Sequence, residues 1–225
     1  KEIDSVIKNA VKNNVKIIVA NGVDNRTNKK VLEYAENYKE IKASLGLYPL
    51  DALSMNINEI NSILRFIEDN KSKMVAIGEI GLDFKESNNN ERQINIFKKI
   101  LKLAKRINKT VIIHSRKAEK ECIDIMEKEK IKKAVMHFFS GKINLIDRIV
   151  KNGWYLSIPA IIKNSEHFQK VVEITDMKNL LCETDSPFAH PNKERINEPA
   201  NVIESYKKIA EIKNLEMNKV EKIIE

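Results

Sequence analysis

Cysteine and long apolar segments are scarce in this sequence, and each scarcity removes a class of protein from consideration. The two cysteines, Cys122 and Cys182, form no CxxC pair and no other spacing typical of metal sites, so we interpret them as reduced and structural. No apolar run approaches the roughly 18 residues that a membrane span requires. The given sequence does not open with the charged, apolar and small-residue pattern of a signal peptide. We therefore expect a cytoplasmic protein with no membrane partner.

Charged residues, by contrast, are abundant. They make up 32% of the 225 residues, above the ordinary share of about 25%. Forty Lys and Arg residues exceed thirty-two Asp and Glu residues, which gives a net charge of +8. Such a balance raises the local concentration of polyanions such as nucleic acid. A general compositional bias toward lysine explains the same charge, so composition leaves both interpretations open.

Short apolar runs alternate with amphipathic stretches along the whole chain, and each run precedes a helical pattern. Seven runs are centred near residues 17, 45, 76, 112, 135, 156 and 182. Parallel strands joined by right-handed helical crossovers close naturally into an eight-stranded barrel. We therefore predict an α/β fold, a TIM-type (β/α)8 barrel forming a single domain over residues 1–225, whose first strand precedes Lys1. An open doubly wound sheet is the alternative, although it would gather its ligands at one switch point.

Four of these runs close on side chains that bind metals. The runs end at Glu79, His114, His137 and Asp185. Because the carboxyl ends of barrel strands share one face, we expect these side chains to converge on one site. Two imidazoles and two carboxylates suit a divalent ion such as Zn²⁺, Mn²⁺, Mg²⁺ or Ni²⁺, with one or two ions per chain. A single histidine at a strand end is more often a hydrogen-bonded core residue, so the prediction rests on all four together.

This ligand set predicts metal-assisted hydrolysis. A metal-bound water loses its proton near neutral pH, and Asp185 orients that water or takes the proton. The ions then stabilise charge on a phosphoryl or acyl centre. Arg116, two residues after His114, is a candidate to bind a substrate phosphate through two donor groups. A salt bridge from Arg116 to a loop acid is the alternative.

Several stretches, in this order along the chain, resemble the TatD-type metal-dependent deoxyribonucleases, a family of amidohydrolase-like barrels. They are AIGEIGLDF at 76–84, ERQ at 91–93, VIIHSR at 111–116, HFFSG at 137–141, CETDSP at 182–187 and NEP at 197–199. The resemblance covers nearly the whole chain and implies a TIM-type barrel that hydrolyses phosphodiester bonds in DNA. It also implies that the four residues named above hold divalent metals. In the family, the glutamate matching Glu79 bridges two metals, and the aspartate matching Asp185 binds metal and assists the water.

Three features depart from the family pattern. The paired histidines at the end of the family's first strand have no counterpart, Tyr48 replaces a common histidine, and Phe138 replaces a common cysteine. We attribute the first departure to the strand expected before Lys1, so the given chain alone is expected to hold at most one well-formed metal ion. The substitution at residue 48 is expected to alter substrate contacts without removing a metal ligand.

Two other functions are compatible with the same barrel. One is a small-molecule amidohydrolase or phosphoesterase that uses the same metals. The other is a non-catalytic binding protein that has lost half of its metal site. DNA is the substrate that we expect, and we assume a monomer.

A few further residues receive structural interpretations. Asp83 is expected to tie its loop or to support the site from behind. His167 is expected to be exposed on a helix, and His190 to lie on a surface loop. Trp154, Phe138 and Phe139 could stack on bases, although aromatic residues at strand positions more often belong to the core.

Overall fold

A computed structural model describes residues 2–192 and 196–224, and its parallel strands alternate with helices, which confirms the predicted α/β class. These residues form two compact units. One unit comprises residues 17–137, and the other comprises residues 2–16, 138–192 and 196–224. The single domain and the strand preceding the given chain both stay predictions.

Each strand overlaps one of the apolar runs identified in the sequence. The strands of the described residues are β1 (Ile18–Asn21), β2 (Ile41–Leu45), β3 (Met74–Asp83), β4 (Thr110–Arg116), β5 (Ala134–Met136), β6 (Tyr155–Pro159) and β7 (Leu180–Glu183). Two strands run further than the sequence indicated, since β3 continues to Asp83 and β4 to Arg116. Glu79 and His114 therefore lie inside strands rather than at their ends.

The helices follow the predicted amphipathic stretches. They are α1 (Ile3–Lys12), α2 (Asn25–Asn37), α3 (Asp51–Ser54), α4 (Ile57–Asp69), α5 (Asn90–Arg106), α6 (Glu119–Lys128), α7 (Ile146–Lys151), α8 (Glu166–Ile174), α9 (Ile203–Lys213) and α10 (Met217–Ile224). Short 3-10 turns occupy Ile143–Leu145, Ala160–Asn164, Met177–Asn179 and Pro199–Val202. The sequence did not reveal α3, because a single turn carries too few apolar residues to define a period. Within the described residues, no helix combines the length and the apolar character needed to span a membrane.

The start of α2 is set by a capping box. The Asp24 carboxylate accepts a hydrogen bond from the Thr27 backbone N–H, at 2.6 Å, and the Thr27 hydroxyl oxygen accepts one from the Asp24 N–H, at 3.0 Å. Both bonds satisfy donors that the first turn of a helix leaves without partners. The helix therefore begins at Asn25, three residues before the start at Asn28 that the apolar period indicates.

Residues 17–137 form a five-stranded parallel sheet in the order β1-β2-β3-β4-β5. Helix α5 packs against β3, and α2 packs against β2. The largest fully buried side chains of this unit include Leu45, Leu47, Ile60, Ile67, Ile77, Ile80, Leu82, Phe97, Ile100 and Leu101. Burial of apolar area on this scale dominates the stability of the unit.

The extension of β3 follows from its second apolar half. Ile80 and Leu82 are fully buried, and Met74, Ala76 and Ile77 before the irregularity are buried as well. The register with β4 shifts between Ile77 and Ile80, and the ladder then continues from Ile80 opposite Ile113 to Asp83 opposite Arg116. The strand therefore includes two acidic residues, Glu79 and Asp83, which flank the buried Ile80 and Leu82.

In the other unit, β6 and β7 form a parallel pair, with Leu156 opposite Leu180 and Pro159 opposite Glu183. Its core includes Phe139, Trp154, Ile158, Phe168, Val172 and Ile209. Trp154 and Phe139 are almost completely buried, which fits the core interpretation of these aromatic rings. Gly153 follows α7 with a φ of 71°, the left-handed conformation that glycine adopts at helix ends.

Candidate metal centre

Three of the four predicted metal ligands meet within residues 17–137. Glu79 lies in β3, His114 in β4, and His137 directly follows β5. The Glu79 Oε1 atom is 2.8 Å from His114 Nδ1 and 3.9 Å from His137 Nε2. Adjacent parallel strands therefore bring one carboxylate and two imidazoles together, as their positions in the sequence suggested.

The backbone around Glu79 is held by a close approach of the loop after β2. The Asn28 side chain donates to the Gly46 carbonyl oxygen, at 2.8 Å, and accepts from the Gly46 N–H, at 2.9 Å. A side chain on Gly46 would collide with the backbone of Gly78 and Glu79. Glycine is therefore required at position 46 for the loop to rest against the strand that carries Glu79.

The second ring nitrogen of His114 faces two further polar groups. His114 Nε2 lies 3.2 Å from Asp83 Oδ2 and 3.3 Å from the Tyr48 hydroxyl. The Tyr48 hydroxyl also donates to Asp83 Oδ2, at 3.3 Å. The Tyr48 and His114 rings pack edge to face, with centroids 4.9 Å apart. His114 is thus enclosed, with Glu79 on one side and the Asp83 and Tyr48 pair on the other.

Asp83 is itself fixed in place by its neighbours. Its Oδ1 atom accepts from the N–H groups of Lys85 and Glu86, at 3.0 and 3.1 Å. The Gln93 side chain bonds both the N–H and the carbonyl oxygen of Asp83, at 2.7 and 2.8 Å. The loop contact and support of the site from behind were both predicted for Asp83, but the sequence did not identify His114 as the residue that it contacts. The even spacing of residues 79 and 83, which places both on one face of an extended strand, is the signal that could have revealed it.

The surroundings favour charged carboxylates and a protonated phenol. Burial alone would raise the pKa of Glu79, but the hydrogen bond with His114 and the nearby His137 imidazole outweigh it and lower that pKa. Burial opposes the same change at Asp83, whose pKa is lowered by bonds from the Glu86 N–H and His114. Burial raises the pKa of Tyr48, and the negative Asp83 and Glu79 raise it further. At neutral pH the two acids are therefore ionised, and Tyr48 remains a hydrogen-bond donor.

The fourth predicted ligand, Asp185, belongs to the other compact unit. It lies two residues after β7, is partly buried, and has a φ of 56°. This left-handed conformation is uncommon for residues other than glycine, although aspartate tolerates it better than most. The role of Asp185 as a metal ligand stays a prediction.

Arg116 makes the ion pair that was considered as the alternative to phosphate binding. Its Nη1 atom lies 3.2 Å from Glu86 Oε1, and both side chains are about half exposed. Exposed pairs of this kind contribute little to stability. A competing phosphate could therefore displace Glu86 at low cost, and the substrate contact of Arg116 stays a prediction.

His167 differs from its predicted environment. Rather than being simply exposed, it is partly buried, and its Nε2 atom lies 3.0 Å from the Phe139 carbonyl oxygen. The ring also packs edge to face against Phe168. His190 bonds the backbone of Asn192 through Nδ1. Both histidines thus have local structural partners.

The residue types around Glu79 fit a divalent ion by their chemistry. Imidazole nitrogens and a carboxylate oxygen together suit borderline ions such as Zn²⁺. Across residues 2–192 and 196–224, no group of three or more His, Cys, Asp or Glu side chains stands in an arrangement ready to hold a metal ion. The direct hydrogen bond between Glu79 and His114 shows how closely these donors are packed.

Comparisons with known proteins extend over the whole chain. A family profile described as TatD related DNase matches residues 1–225. The uncharacterized metal-dependent hydrolase MJ1582 of Methanocaldococcus jannaschii is 38% identical over 224 residues, which cover 100% of this chain and 88% of that protein. Human deoxyribonuclease TATDN3 is 32% identical over 234 residues, which cover 98% and 85% of the two chains.

A solved structure gives the same result for the fold. The crystal structure of YJJV, a TatD homolog from Escherichia coli, matches with a TM-score of 0.92 and 26% sequence identity. The match covers 98% of this chain and 88% of that one. It supports the TIM-barrel class, and together with the sequence comparisons it confirms the resemblance that the motifs suggested.

Proposed function

Because the chain belongs to the family of TatD-related DNases, whose relatives include metal-dependent hydrolases, we propose that it is a nuclease that hydrolyses phosphodiester bonds in DNA. The observation that carries this proposal is the convergence of Glu79, His114 and His137. A ring nitrogen of each histidine lies near the same Glu79 oxygen, Oε1, at 2.8 Å for His114 and 3.9 Å for His137. The net charge of +8 suits a polyanionic substrate.

Glu79, His114 and His137 would hold a divalent ion, with Asp185 as a fourth ligand. When bound, such an ion supplies Lewis-acid activation of water and neutralises charge on a phosphoryl group. We take Zn²⁺, Mn²⁺, Mg²⁺ and Ni²⁺ as the candidates. The lowered pKa of Glu79 keeps its carboxylate charged for this purpose at neutral pH.

The remaining residues act on the water and the substrate. In the proposed reaction, a carboxylate oxygen of Asp185 orients the attacking water or accepts its proton. Arg116 exchanges its ion pair with Glu86 for a phosphate of the substrate, to which its planar guanidinium donates two N–H groups.

The experiment is hydrolysis of end-labelled single-stranded DNA with added Mn²⁺ or Mg²⁺, comparing the natural sequence with Asp185→Asn. We expect the variant to lose activity by on the order of 100-fold or more, because effects of this size follow loss of even an indirect metal contact. Asp176→Asn is the matched control. Asp176 is an exposed acid that accepts a hydrogen bond from the Lys178 N–H at 3.1 Å, and its substitution should leave hydrolysis unchanged.

Other outcomes distinguish the alternatives. If the protein leaves DNA intact but turns over a simple phosphate or amide ester, the nuclease proposal is wrong and a small-molecule hydrolase takes its place. If it binds no metal and turns over neither substrate, a non-catalytic role is favoured. Equal cleavage by the natural sequence and by Asp185→Asn would remove Asp185 from the mechanism.

A further inference from the structure

The two nitrogens of the His114 ring have different partners, and this difference decides which of them can bind a metal. Nδ1 points to Glu79 Oε1, the same oxygen that His137 Nε2 approaches. Nε2 points to Asp83 Oδ2 and the Tyr48 hydroxyl. The predicted metal ligands Glu79 and His137 therefore lie on the Nδ1 side of the ring, and Asp83 and Tyr48 lie on the Nε2 side.

A neutral imidazole carries its proton on one nitrogen and a lone pair on the other. With the proton on Nδ1, the ring donates to Glu79 Oε1, at 2.8 Å, and Nδ1 has no lone pair for an ion. With the proton on Nε2, the ring donates to Asp83 and presents the Nδ1 lone pair on the side of Glu79. Only the second tautomer lets His114 act as a ligand beside Glu79 and His137.

Tyr48 strengthens this preference for the Nε2 proton. Its hydroxyl donates to Asp83 Oδ2, so it has no second proton to offer to His114 Nε2. With the proton on Nε2, the imidazole donates to Asp83, and the Tyr48 hydroxyl oxygen can accept from the same N–H. The edge-to-face packing of the two rings further restricts rotation of His114.

We propose that Asp83 and Tyr48 are positioning residues that hold the His114 proton on Nε2 and direct Nδ1 toward the metal. The proposal rests on the proposed metal centre and adds to it the carboxylate that orients one of its ligands. Carboxylates that accept from a metal-binding histidine fix both the tautomer and the ring orientation, and their loss typically weakens metal binding by about 10- to 100-fold. In this scheme both residues act through His114, so Tyr48 supports a metal ligand rather than altering substrate contacts as the sequence suggested.

The sharpest test is Asp83→Asn. The asparagine oxygen can still accept from the Lys85 and Glu86 N–H groups, so the loop contact is retained. Its NH₂ group, however, faces the Nε2 proton of His114 as a second donor. We expect the dissociation constant for Zn²⁺, measured by calorimetry, to rise about 10- to 100-fold. The ring ¹H–¹⁵N signal of His114 Nε2 in the Zn²⁺-loaded protein should also shift and weaken, because its proton loses an acceptor and exchanges with water.

Two further variants complete the design. Tyr48→Phe removes one hydrogen bond to Asp83 and should weaken Zn²⁺ binding by about 2- to 10-fold; it also keeps the proposal testable if Asp83→Asn does not fold. Thr175→Val is the control for loss of a buried hydrogen bond, since the Thr175 hydroxyl donates to the Val171 carbonyl oxygen at 2.6 Å. It should change neither Zn²⁺ affinity nor the His114 signal.

The outcomes separate this inference from the proposed function. Unchanged Zn²⁺ affinity and an unchanged Nε2 signal in folded Asp83→Asn, or in Tyr48→Phe when that variant alone folds, would overturn the positioning role. A shift of Nε2 rather than Nδ1 when Zn²⁺ is added to the natural sequence would overturn it as well. Failure of the natural sequence to bind any of Zn²⁺, Mn²⁺, Mg²⁺ and Ni²⁺ would refute the metal centre itself and this inference with it. None of these measurements depends on whether DNA is the substrate.

Discussion

The polar side chains that contact His114 in residues 17–137 serve a different end from Asn179 and Ser205 in the other compact unit. Near the end of β3, Glu79 and Asp83 contact the ring of His114, so ionisable groups bond to one another. In residues 138–224, Asn179 and Ser205 instead donate to the carbonyl oxygens of Trp154 and Ile158. Neutral side chains that satisfy the backbone stabilise a fold, whereas charged groups that face one another bear a desolvation cost that a function explains better than stability does.

The largest effect should follow from a change in the ionisable set. We expect Glu79→Gln to reduce metal-dependent hydrolysis by on the order of 100-fold or more, since the amide keeps the shape but loses the charge that a divalent ion requires. The measurement is the initial rate at saturating Mn²⁺. Glu59→Gln in the capping box of α4 is the matched control, because glutamine also serves at that position. Equal rates for the natural sequence and Glu79→Gln would show that the ionisable residues around His114 are not needed for hydrolysis.

Asn28→Ala tests a neutral residue that lies close to the ionisable set. Loss of its side chain leaves the Gly46 N–H and carbonyl groups without partners, which should lower the free energy of unfolding by about 1–3 kcal/mol. Because Gly46 rests against the backbone of Glu79, we also expect a weaker affinity for metal. Urea denaturation and Zn²⁺ calorimetry measure the two effects. A loss of stability with unchanged Zn²⁺ affinity would show that the loop after β2 stabilises the fold but does not support the metal site.

Asp24 is ionisable but structural, so it tests whether charge alone marks a functional residue. Although burial would raise the pKa of Asp24, the bonds from the Thr27 hydroxyl and N–H lower it below the ordinary value. A lowered pKa stabilises the fold above the ordinary pKa, and that contribution is lost as the pH falls through the folded value. Asp24→Ala should therefore cost about 1 kcal/mol at pH 7, and the cost should shrink below about pH 4. Denaturation curves at pH 7 and pH 3 provide the measurement, and a cost independent of pH would contradict the role of the charge.

Ser205→Ala should give the smallest effect. Its hydroxyl donates to the Ile158 carbonyl oxygen at 3.0 Å, and loss of one such bond lowers the free energy of unfolding by about 0.5–1.5 kcal/mol. The rate of hydrolysis per folded molecule should stay unchanged. Thermal unfolding combined with a rate assay checks both statements. A large loss of rate would show that this neutral residue also supports catalysis.

Local patterns accounted for much of the fold. Apolar runs marked all seven strands of the described residues, because a strand that packs against a core on at least one face carries mostly apolar side chains. Helix starts were less predictable, as α2 shows, because a cap such as Asp24 adds residues that carry no apolar period. The ends of β3 and β4 were missed for the opposite reason, since polar residues inside them interrupt the apolar run.

The sequence by itself determined the fold class, the family and the residue types at the candidate metal centre, because hydrophobic period and strand position are properties of short segments. Only the tertiary structure decided which atoms meet. The contact of Asp83 and Tyr48 with one nitrogen of His114 joins residues 31 and 66 positions apart from that histidine. Such a contact depends on strand register and side-chain direction, which no local pattern specifies.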